Sequence, residues 1–346
     1  MARRRTVFAL ILVLATVTLA CGGAGTTAPA TASGVSTGTA ATARPIVKIV
    51  VGYSEIYEGE LPVWAAFEAG IFKANGLDVD LRYTASTTGI AALLAGETQV
   101  FQGGGSETLS AVVGGADLIV IGNVVPVYPY TFVVPAEIKT LADLKGKKVG
   151  VSNPGSTSDI ATRVGLAKVG IDPNKDVTIV AVGSSQNRTA ALISGAIQGG
   201  LDQPPYSYDL ESRGFHSLFS MAEQRLPIVN NGIIVKRQFA TDQKDVVQRY
   251  VDSIVQSIAR LKTDKALAVA VYKKYLKIDD AAPLERTWEY ATKQLFPSLP
   301  SPKLDQWGDI VAELGKTNDK IKSFDVSKIL DDSFVQSAAR RGLDKP

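Results

Sequence analysis

The sequence contains one cysteine, Cys21, and one histidine, His216, in 346 residues. A single cysteine cannot form a disulfide within the chain. A Ser-His-Asp triad would need His216, which lies beside Phe215 in a strand-like run, and no G-x-S-x-G elbow accompanies it. A Walker A motif and a cluster of metal ligands are also missing. These absences predict a protein that is not an enzyme and uses no metal or cofactor.

The sequence also lacks an excess of one charge once its first residues are set aside. It has 37 Lys and Arg residues against 34 Asp and Glu residues, and three of the arginines are Arg3, Arg4 and Arg5. Without these three the counts are equal at 34. Because a chain without net charge has no long-range attraction for a phosphate backbone, nucleic acid is not expected as a partner.

The amino terminus has the features of an export signal. The three arginines precede an apolar run over 7–14, which small and apolar residues continue to Ala20. That run is shorter than a comfortable membrane span. Residues 4–8 also partly fit a twin-arginine signal, which is the alternative export route. Either route predicts that the protein works outside the cytoplasm.

The export signal ends at the only cysteine. The segment T-L-A-C-G over 18–22 resembles the bacterial lipobox, apart from Thr18, where the pattern prefers Leu. Residues 1–21 are therefore interpreted as a lipoprotein signal peptide that ends at a lipidated Cys21. The alternative is an ordinary signal with a cleavage site elsewhere. Residues 22–45 are rich in Gly, Ala, Thr, Ser and Pro, which predicts a flexible tether.

The remaining chain of about 300 residues is long enough for two domains. Apolar runs alternate with amphipathic segments, which predicts α/β layers. The predicted strands are 46–53, 79–83, 98–102, 118–125, 148–152, 177–182, 199–203 and 232–236. The predicted helices after them are 243–261, 265–276 and 282–294. Small polar residues follow many of the strands, where ligands of open α/β sheets bind.

The stretch 141–158, L-A-D-L-K-G-K-K-V-G-V-S-N-P-G-S-T-S, combines a helix stop, a strand and a helix start. Thr140 and Asp143 predict a capped turn that Gly146 ends. The next helix begins among small residues, and its first N–H groups have no partner within the helix. The stretch therefore predicts either a ligand site or a plain strand-to-helix turn.

Seven segments give the chain a family resemblance. In order they are V-G-Y-S, A-A-F-E-A-G-I-F-K-A-N-G-L-D-V, L-L-A-G-E-T-Q-V, L-A-D-L-K-G-K-K-V-G-V, G-S-T-S, V-G-I-D-P-N-K-D-V and A-A-L-I-S-G-A-I. They resemble the solute-binding proteins of nitrate/sulfonate/taurine-type ABC importers, relatives of the thiamine-pyrimidine precursor binders. The resemblance covers nearly everything from 46 to about 314.

The resemblance implies a two-lobed α/β fold of the periplasmic-binding-protein type (Venus flytrap, type II) with two interdomain crossovers. We place the crossovers near 133–135 and 231–235, so lobe one is 46–134 plus 236–346 and lobe two is 135–235. The implied protein is a monomer that works with an ABC permease and ATPase. Enzymes that make a thiamine pyrimidine with their own His and a pyridoxal cofactor remain an alternative, although this chain lacks their Cys-rich stretch.

The resemblance also implies a pocket made by the loops at the strand ends. The Gly run over 103–105 lets backbone approach a ligand, or it is only a tight turn. Gln203 offers a donor and an acceptor, or it is a surface turn residue. Tyr53 stacks on a flat ligand or packs in the core. The predicted ligand-binding residues are Tyr53, Ser54, Ser86, Thr87, Gln102, Gly103, Gly104, Ser106, Gly155, Ser156, Thr157, Ser158, Gln203 and Asn230.

The charges near these loops bear on the ligand. They include Glu55, Glu58, Glu60 and Glu107, with Arg188 as the nearest basic residue. Oxyanion sites usually combine helix starts with Arg or Lys. The sequence therefore favours a neutral, zwitterionic or aromatic organic solute over nitrate. A ligand sensor that docks on a membrane receptor has the same sequence features and is a further alternative.

Overall fold

The computed structural model describes residues 45–345, except for the side chains of Ser86 and Thr87. The predicted signal peptide, with Cys21, and most of the predicted tether lie outside the described residues. None of the helices within 45–345 combines the length and the apolar character that crossing a bilayer requires.

Ten strands form two five-stranded sheets. The strands are β1 Val47–Tyr53, β2 Leu77–Tyr83, β3 Val100–Gly103, β4 Leu118–Val127, β5 Thr131–Val134, β6 Lys148–Val151, β7 Thr178–Ala181, β8 Gly199–Asp202, β9 His216–Ser220 and β10 Pro227–Lys236. The first sheet has the order β2-β1-β3-β10-β4, and the second has the order β7-β6-β8-β5-β9. In each sheet the first three strands are parallel and the fourth is antiparallel to its neighbours.

In each sheet, the fourth strand in this order is the first strand that the chain forms after it crosses from the other sheet. The chain passes from β4 to β5 through 128–130, and it returns from β9 to β10 through 221–226. We call the part built on the first sheet lobe one (45–127 and 227–345) and the part built on the second sheet lobe two (131–220). The predicted α/β fold with two crossovers is confirmed.

The chain crosses between the sheets at positions that differ from both predicted crossovers. Residues 131–134 were assigned to lobe one, but as β5 they pair with β8 and β9 of the second sheet. Residues 227–235 were assigned to lobe two, but as part of β10 they pair with β3 and β4 of the first sheet. Both errors have one cause. A crossing strand is as apolar as its neighbours, so its sequence does not indicate which sheet it joins.

Helices cover the two sheets. They are α1 Leu61–Glu68, α2 Ile71–Ala74, α3 Ser86–Ala95, α4 Gly105–Val113, α5 Thr157–Lys168, α6 Ser185–Ile193, α7 Tyr206–Ser212, α8 Arg237–Asp242, α9 Lys244–Leu261, α10 Lys265–Leu276, α11 Ala281–Tyr290, α12 Gly308–Leu314, α13 Asp319–Lys322 and α14 Ser333–Arg340. The helices predicted after residue 236 correspond to α9, α10 and α11. The predicted cap of Thr140 and Asp143 is present, and Gly146 follows that turn with a φ of +74°.

Both lobes use the same connection between a helix and the next strand. In lobe one, Gln99 Oε1 accepts from the N–H of Val50 at 2.8 Å, and its Nε2 donates to the Gly96 carbonyl at 3.1 Å. In lobe two, Gln198 Oε1 accepts from the N–H of Lys148 at 3.2 Å, and its Nε2 donates to the Gly195 carbonyl at 2.9 Å. We call this pair of glutamine hydrogen bonds the bracket. It fixes the start of β3 and of β8 in the same way, so the carboxyl ends of these two strands lie at corresponding positions in the two sheets.

Three apolar clusters stabilise the described part of the molecule, and two of them contain most of the buried side chains. One cluster packs a face of the first sheet against α1, α9, α10, α11 and α14. The other includes Phe101 and Ile234 of lobe one together with Phe132 and Val149 of lobe two. Because this second cluster continues through both lobes, the lobes are in close contact in this conformation.

Candidate functional site

A small polar cavity of about 30 Å³ lies between the lobes. Its lining is Ser54, Glu55, Tyr57, Gly104, Glu107, Tyr130, Ser152, Ser156, Thr157, Ser158, Ser185, Gln203 and Asn230. Four of these residues directly follow parallel strands: Ser54 after β1, Gly104 after β3, Ser152 after β6 and Gln203 after β8. The cavity therefore occupies the place where open α/β sheets bind their ligands, beyond the carboxyl ends of the strands.

Lobe one contributes two carboxylates to the cavity. Glu55 follows β1, and its Oε2 accepts a hydrogen bond from the N–H of Ser185 in lobe two at 3.3 Å. Glu107 lies in the first turn of α4, and its Oε2 accepts from Ser106 Oγ at 2.7 Å and from Thr157 Oγ1 at 3.1 Å. Burial raises the pKa of Glu55 to about 7, although the charge of Arg188 acts in the opposite direction. Each carboxylate thus faces the cavity and also bonds to lobe two.

The start of α5 is held by its own side chains. Ser156 is the N-cap, and its Oγ accepts from the N–H of Asp159 at 3.3 Å. The carboxylate of Asp159 accepts from the N–H of Gly155 at 2.8 Å. Ser158 Oγ accepts from the N–H of Ser152 at 2.9 Å. The sequence predicts free N–H groups at this helix start, but the N–H groups of Gly155 and Asp159 are already paired. The residues of this helix start that line the cavity carry hydroxyl groups.

Thr157 connects the two lobes across the cavity. Its Oγ1 lies 2.9 Å from Ser106 Oγ of lobe one. A Cβ atom on Gly104 would lie 2.1 Å from Thr157 Oγ1 and 2.4 Å from Glu107 Oε2. The φ of Gly104, −72°, suits any residue. Glycine is thus needed here for the close approach of Thr157, and the backbone conformation does not require it.

An arginine lies below the floor of the cavity. Arg188 is 1% exposed, and its Nη2 donates to Ser185 Oγ at 3.2 Å. Gln203 Nε2 donates to the same oxygen at 3.1 Å. Burial raises the pKa of Asp202 to about 6, and the charge of Arg188 opposes this effect. The guanidinium is therefore the counter-charge of Glu55 and Asp202, one hydroxyl away from the cavity.

Two phenols are linked through an amide on one wall. Tyr130 lies in the crossing segment, and its hydroxyl donates to Asn230 Oδ1 at 2.9 Å. Asn230 Nδ2 donates to the hydroxyl of Tyr57 at 3.2 Å. Because the Tyr57 oxygen accepts from Asn230, its own proton is available to a solute. The network joins the crossover to the loop after β1.

Two further carboxyl groups lie behind the cavity in the 3₁₀ turn Glu58–Glu60. Glu58 and Glu60 are both 0% exposed, and their carboxyl oxygens have no hydrogen-bond partner within the described chain. Burial raises the pKa of each carboxyl well above its ordinary value. Burial therefore favours the neutral form of both groups, whereas Glu55 and Glu107 line the cavity itself.

The structure places seven of the predicted residues on the cavity: Ser54, Gly104, Ser156, Thr157, Ser158, Gln203 and Asn230. Five lie elsewhere: Tyr53, Gln102, Gly103, Ser106 and Gly155. The remaining two, Ser86 and Thr87, begin α3, and their side chains lie outside the described part of the molecule.

Those five residues have other partners. The ring of Tyr53 packs edge-on against Trp64 at a centroid distance of 5.8 Å. Gln102 is buried and donates to the hydroxyl of Tyr250 at 2.8 Å. A Cβ atom on Gly103 would lie 2.5 Å from the Phe101 ring. Ser106 bonds to Glu107 and Thr157, one step behind the lining, and the N–H of Gly155 is taken by Asp159.

Six lining residues were not predicted: Glu55, Tyr57, Glu107, Tyr130, Ser152 and Ser185. Ser152 and Ser185 follow strands in the chain, so the strand-end argument could have included them. The sequence analysis names Glu55 and Glu107 only as charged residues near the loops, and not as ligand-binding residues. Tyr57 and Tyr130 reach the cavity through the path of the loop and of the crossover, which no local pattern indicates.

The single histidine lies in β9, opposite Val134, and does not line the cavity. Between residues 45 and 345, no group of three or more His, Cys, Asp and Glu side chains is arranged to hold a metal ion.

The match to a known family covers the segment that builds most of this site. A family model described as NMT1/THI5 like matches residues 60–265, more than half of the chain. The chain belongs to the NMT1/THI5-like family. The match begins after Ser54, Glu55 and Tyr57, so these three lining residues lie outside the segment that defines membership.

Relatives and solved structures give further comparisons. A protein of Brucella abortus (strain 2308) that is named as a binding protein is 25% identical over 293 residues, which covers 80% of this chain and 88% of the relative. A solved protein of Bordetella bronchiseptica RB50 has a TM-score of 0.73 at 20% identity, over 85% of this chain and 98% of that one. The alkanesulfonate-binding protein SsuA of Xanthomonas axonopodis pv. citri, bound to MOPS, has a TM-score of 0.65 at 22% identity, over 86% and 99%. At these identities the solved structures show the shared fold.

Proposed function

We propose that this protein captures a small organic solute outside the cytoplasm, in the cavity between its lobes, and delivers it to an ABC importer. The observation that carries the proposal is the lining of the cavity, which combines polar groups from both lobes at their strand ends. A solute that contacts both lobes stabilises the closed arrangement over an open one. The crossing segments 128–130 and 221–226 are the proposed hinges.

The structural neighbours support a small-molecule ligand. The Xanthomonas protein is named for alkanesulfonate binding, and its structure holds MOPS, a small organic molecule. This chain shares that fold and has a polar cavity beyond its own strand ends. We therefore assign to it the same kind of function, solute capture, and derive its ligand preference from its own residues.

A screen followed by calorimetry tests the proposal. Ligands are found by thermal shift and titrated into wild type, Thr157→Ala and Gln203→Ala, with Lys320→Ala as a distant control. Because truncation leaves a buried partner unsatisfied, each site variant should lose roughly tenfold to hundredfold in affinity, about 1–3 kcal/mol. The unliganded melting temperature should change little. Wild-type affinity in both site variants would place the binding site elsewhere.

The amino-terminal segment supports membrane anchoring as part of this function. A lipid on Cys21 and a tether over 22–45 would hold a monomeric receptor near its permease. Mass spectrometry of the membrane-bound protein should find the lipid, and Cys21→Ser should release the protein from the membrane. An unmodified wild type together with a membrane-bound Cys21→Ser would contradict anchoring.

Delivery is tested separately from capture. Deletion of the gene for this protein from its host should abolish uptake of the radiolabelled ligand found by the screen, and the wild-type gene should restore uptake. Unchanged uptake in the deletion strain would favour the sensor alternative.

A further inference from the structure

Gln203 leaves a buried acceptor at the cavity that no donor of the protein reaches. Gln203 is 1% exposed, and with its Nε2 donating to Ser185 its Oε1 has no hydrogen-bond partner in the described chain. Leaving a buried acceptor unpaired is unfavourable, so this oxygen favours a solute that brings a donor. Gln203 lines the cavity directly.

The two half-buried carboxyl groups of lobe one each leave one oxygen without a protein partner. Glu55 and Glu107 each use Oε2 for the bonds to lobe two. No donor within residues 45–345 is hydrogen-bonded to the Oε1 of either residue. Their charges also repel each other. A positive group placed between them would supply donors and remove that repulsion.

The nearest cation does not meet this need. The guanidinium of Arg188 is buried below the floor, where its Nη2 donates to Ser185 Oγ and its charge faces Glu55 and Asp202, while its Nε and Nη1 have no hydrogen-bond partner in the described chain. Counting Glu55, Glu107 and Asp202 against Arg188, carboxylates outnumber cations around the cavity. An anionic solute would meet this excess negative charge, while a cationic one would be attracted by it.

On the proposed function, which this inference presupposes, we infer that the solute carries a protonated nitrogen, an ammonium or amidinium group. This group binds between the carboxylates of Glu55 and Glu107, with Gln203 Oε1 as a third acceptor. The hydroxyls of Ser156, Thr157 and Ser158 bind the remaining polar atoms of the solute.

The test sorts the thermal-shift screen by the charge of each molecule at neutral pH. The probes include size-matched series, benzylamine with benzyl alcohol and benzoate, and butylamine with butanol and butyrate, together with agmatine, choline, taurine, MOPS, sulfate and nitrate. We expect the molecules that raise the melting temperature to carry a protonated nitrogen. The strongest of them is then titrated into E107Q, E55Q and the matched control E137Q, in which an exposed glutamate is replaced.

Each outcome bears on the inference. E107Q and E55Q keep an acceptor for the bonds to lobe two but lose the charge, so each should lose about tenfold to hundredfold in affinity, while E137Q stays at the wild-type value. Using both variants keeps the test valid if one of them fails to fold. Hits confined to neutral or anionic molecules, or wild-type affinity in both variants, would overturn the inference and leave solute binding intact. A screen in which no class binds would contradict the proposed function, and the inference would fail with it.

Discussion

The two lobes share a scaffold but present different chemistry to the cavity. Gln99 and Gln198 make the same bracket in the two sheets, and both sheets have the same strand order with an antiparallel crossing strand. At the strand ends, however, lobe one places the carboxylates of Glu55 and Glu107, whereas lobe two places hydroxyls and the amide of Gln203. Since the scaffold is repeated, we propose that the residues that differ at the strand ends are the ones that recognise a solute.

The comparison assigns a separate task to each lobe. In the proposed function, lobe one supplies the charge that selects a solute, and the side chains of Glu55 and Glu107 reach across to Ser185 and Thr157. Lobe two supplies hydroxyl groups that can donate or accept, which suits closure around solutes of somewhat different shape. Four sets of variants or conditions test this difference between the lobes.

Gly104→Ala should have the largest effect, because it attacks the contact where the lobes meet. A methyl group would overlap Thr157 Oγ1 and Glu107 Oε2, both closer than 3 Å. Such overpacking costs about 1–3 kcal/mol, so calorimetry should show a roughly tenfold to hundredfold loss of affinity.

The matched control for that variant is Gly308→Ala, where an added Cβ has no heavy atom within 4 Å and the φ of −55° suits alanine. It should bind the solute as wild type does. Equal affinity in both alanine variants would show that the lobes need not approach through Gly104.

The pH dependence of affinity should be smaller and should come from lobe one. The pKa of Glu55 is about 7, so a protonated solute should bind up to about tenfold more tightly at about pH 8 than at about pH 6, where the carboxyl is mostly neutral. The charged and titratable groups around it are Arg188 of α6, Glu107 of α4, Glu60 of the 3₁₀ turn, Tyr83 of β2, Tyr130 and Tyr206. Calorimetry at both pH values, repeated with Glu55→Gln, checks the source. Affinity that falls as pH rises would contradict a cationic solute.

Glu60→Gln should change stability without touching the cavity lining. Burial raises the folded-state pKa of Glu60 well above its ordinary value, so the folded chain keeps a proton that the unfolded chain loses above about pH 4.5. Stability therefore falls as pH rises above that value. The variant, which cannot ionise, should melt about 2 °C or more above wild type at pH 8, and this gain should disappear near pH 5.

An exposed carboxyl provides the control for this measurement. Glu137→Gln should leave the pH dependence of the melting temperature unchanged. A pH dependence in Glu60→Gln that equals that of wild type would show that Glu60 is not a source of the instability.

Gln99→Ala and Gln198→Ala should have the smallest effect and the same effect. Each removes one bracket that accepts from a strand N–H, so each should cost roughly 1 kcal/mol, or about 2 °C in melting temperature. Neither should alter affinity by calorimetry, because neither residue lines the cavity. If only one of the two variants lost stability, the bracket would not contribute equally to the stability of the two lobes.

The sequence predicted most of the fold because strands and helices follow local periodicity. Eight predicted strands are present, and the helix predicted over 265–276 matches α10 within its bounds. The crossing strand β5 was not predicted and the start of β10 was predicted late, because both depend on which sheet a short apolar segment joins. Local sequence does not contain that information.

The site was predictable where it follows strand ends and unpredictable where it depends on tertiary approach. Ser54, Gly104 and Gln203 directly follow strands, and all three line the cavity. Tyr53 is the last residue of β1, and its ring packs against Trp64 instead of lining the cavity. The next residue, Ser54, lines the cavity. Tyr130 arrives from the crossover, so its role appears only when both lobes are assembled.

Small-angle scattering shows whether the lobes close on a solute held between them. Radii of gyration are compared for wild type and Gly104→Ala, each without ligand and at the lowest concentration of the screened solute that saturates wild type. We expect a smaller radius for wild type with the solute and a smaller decrease or none for Gly104→Ala, whose affinity is lower. An unchanged wild-type radius at that concentration, or an equal decrease in both proteins, would contradict closure on the solute.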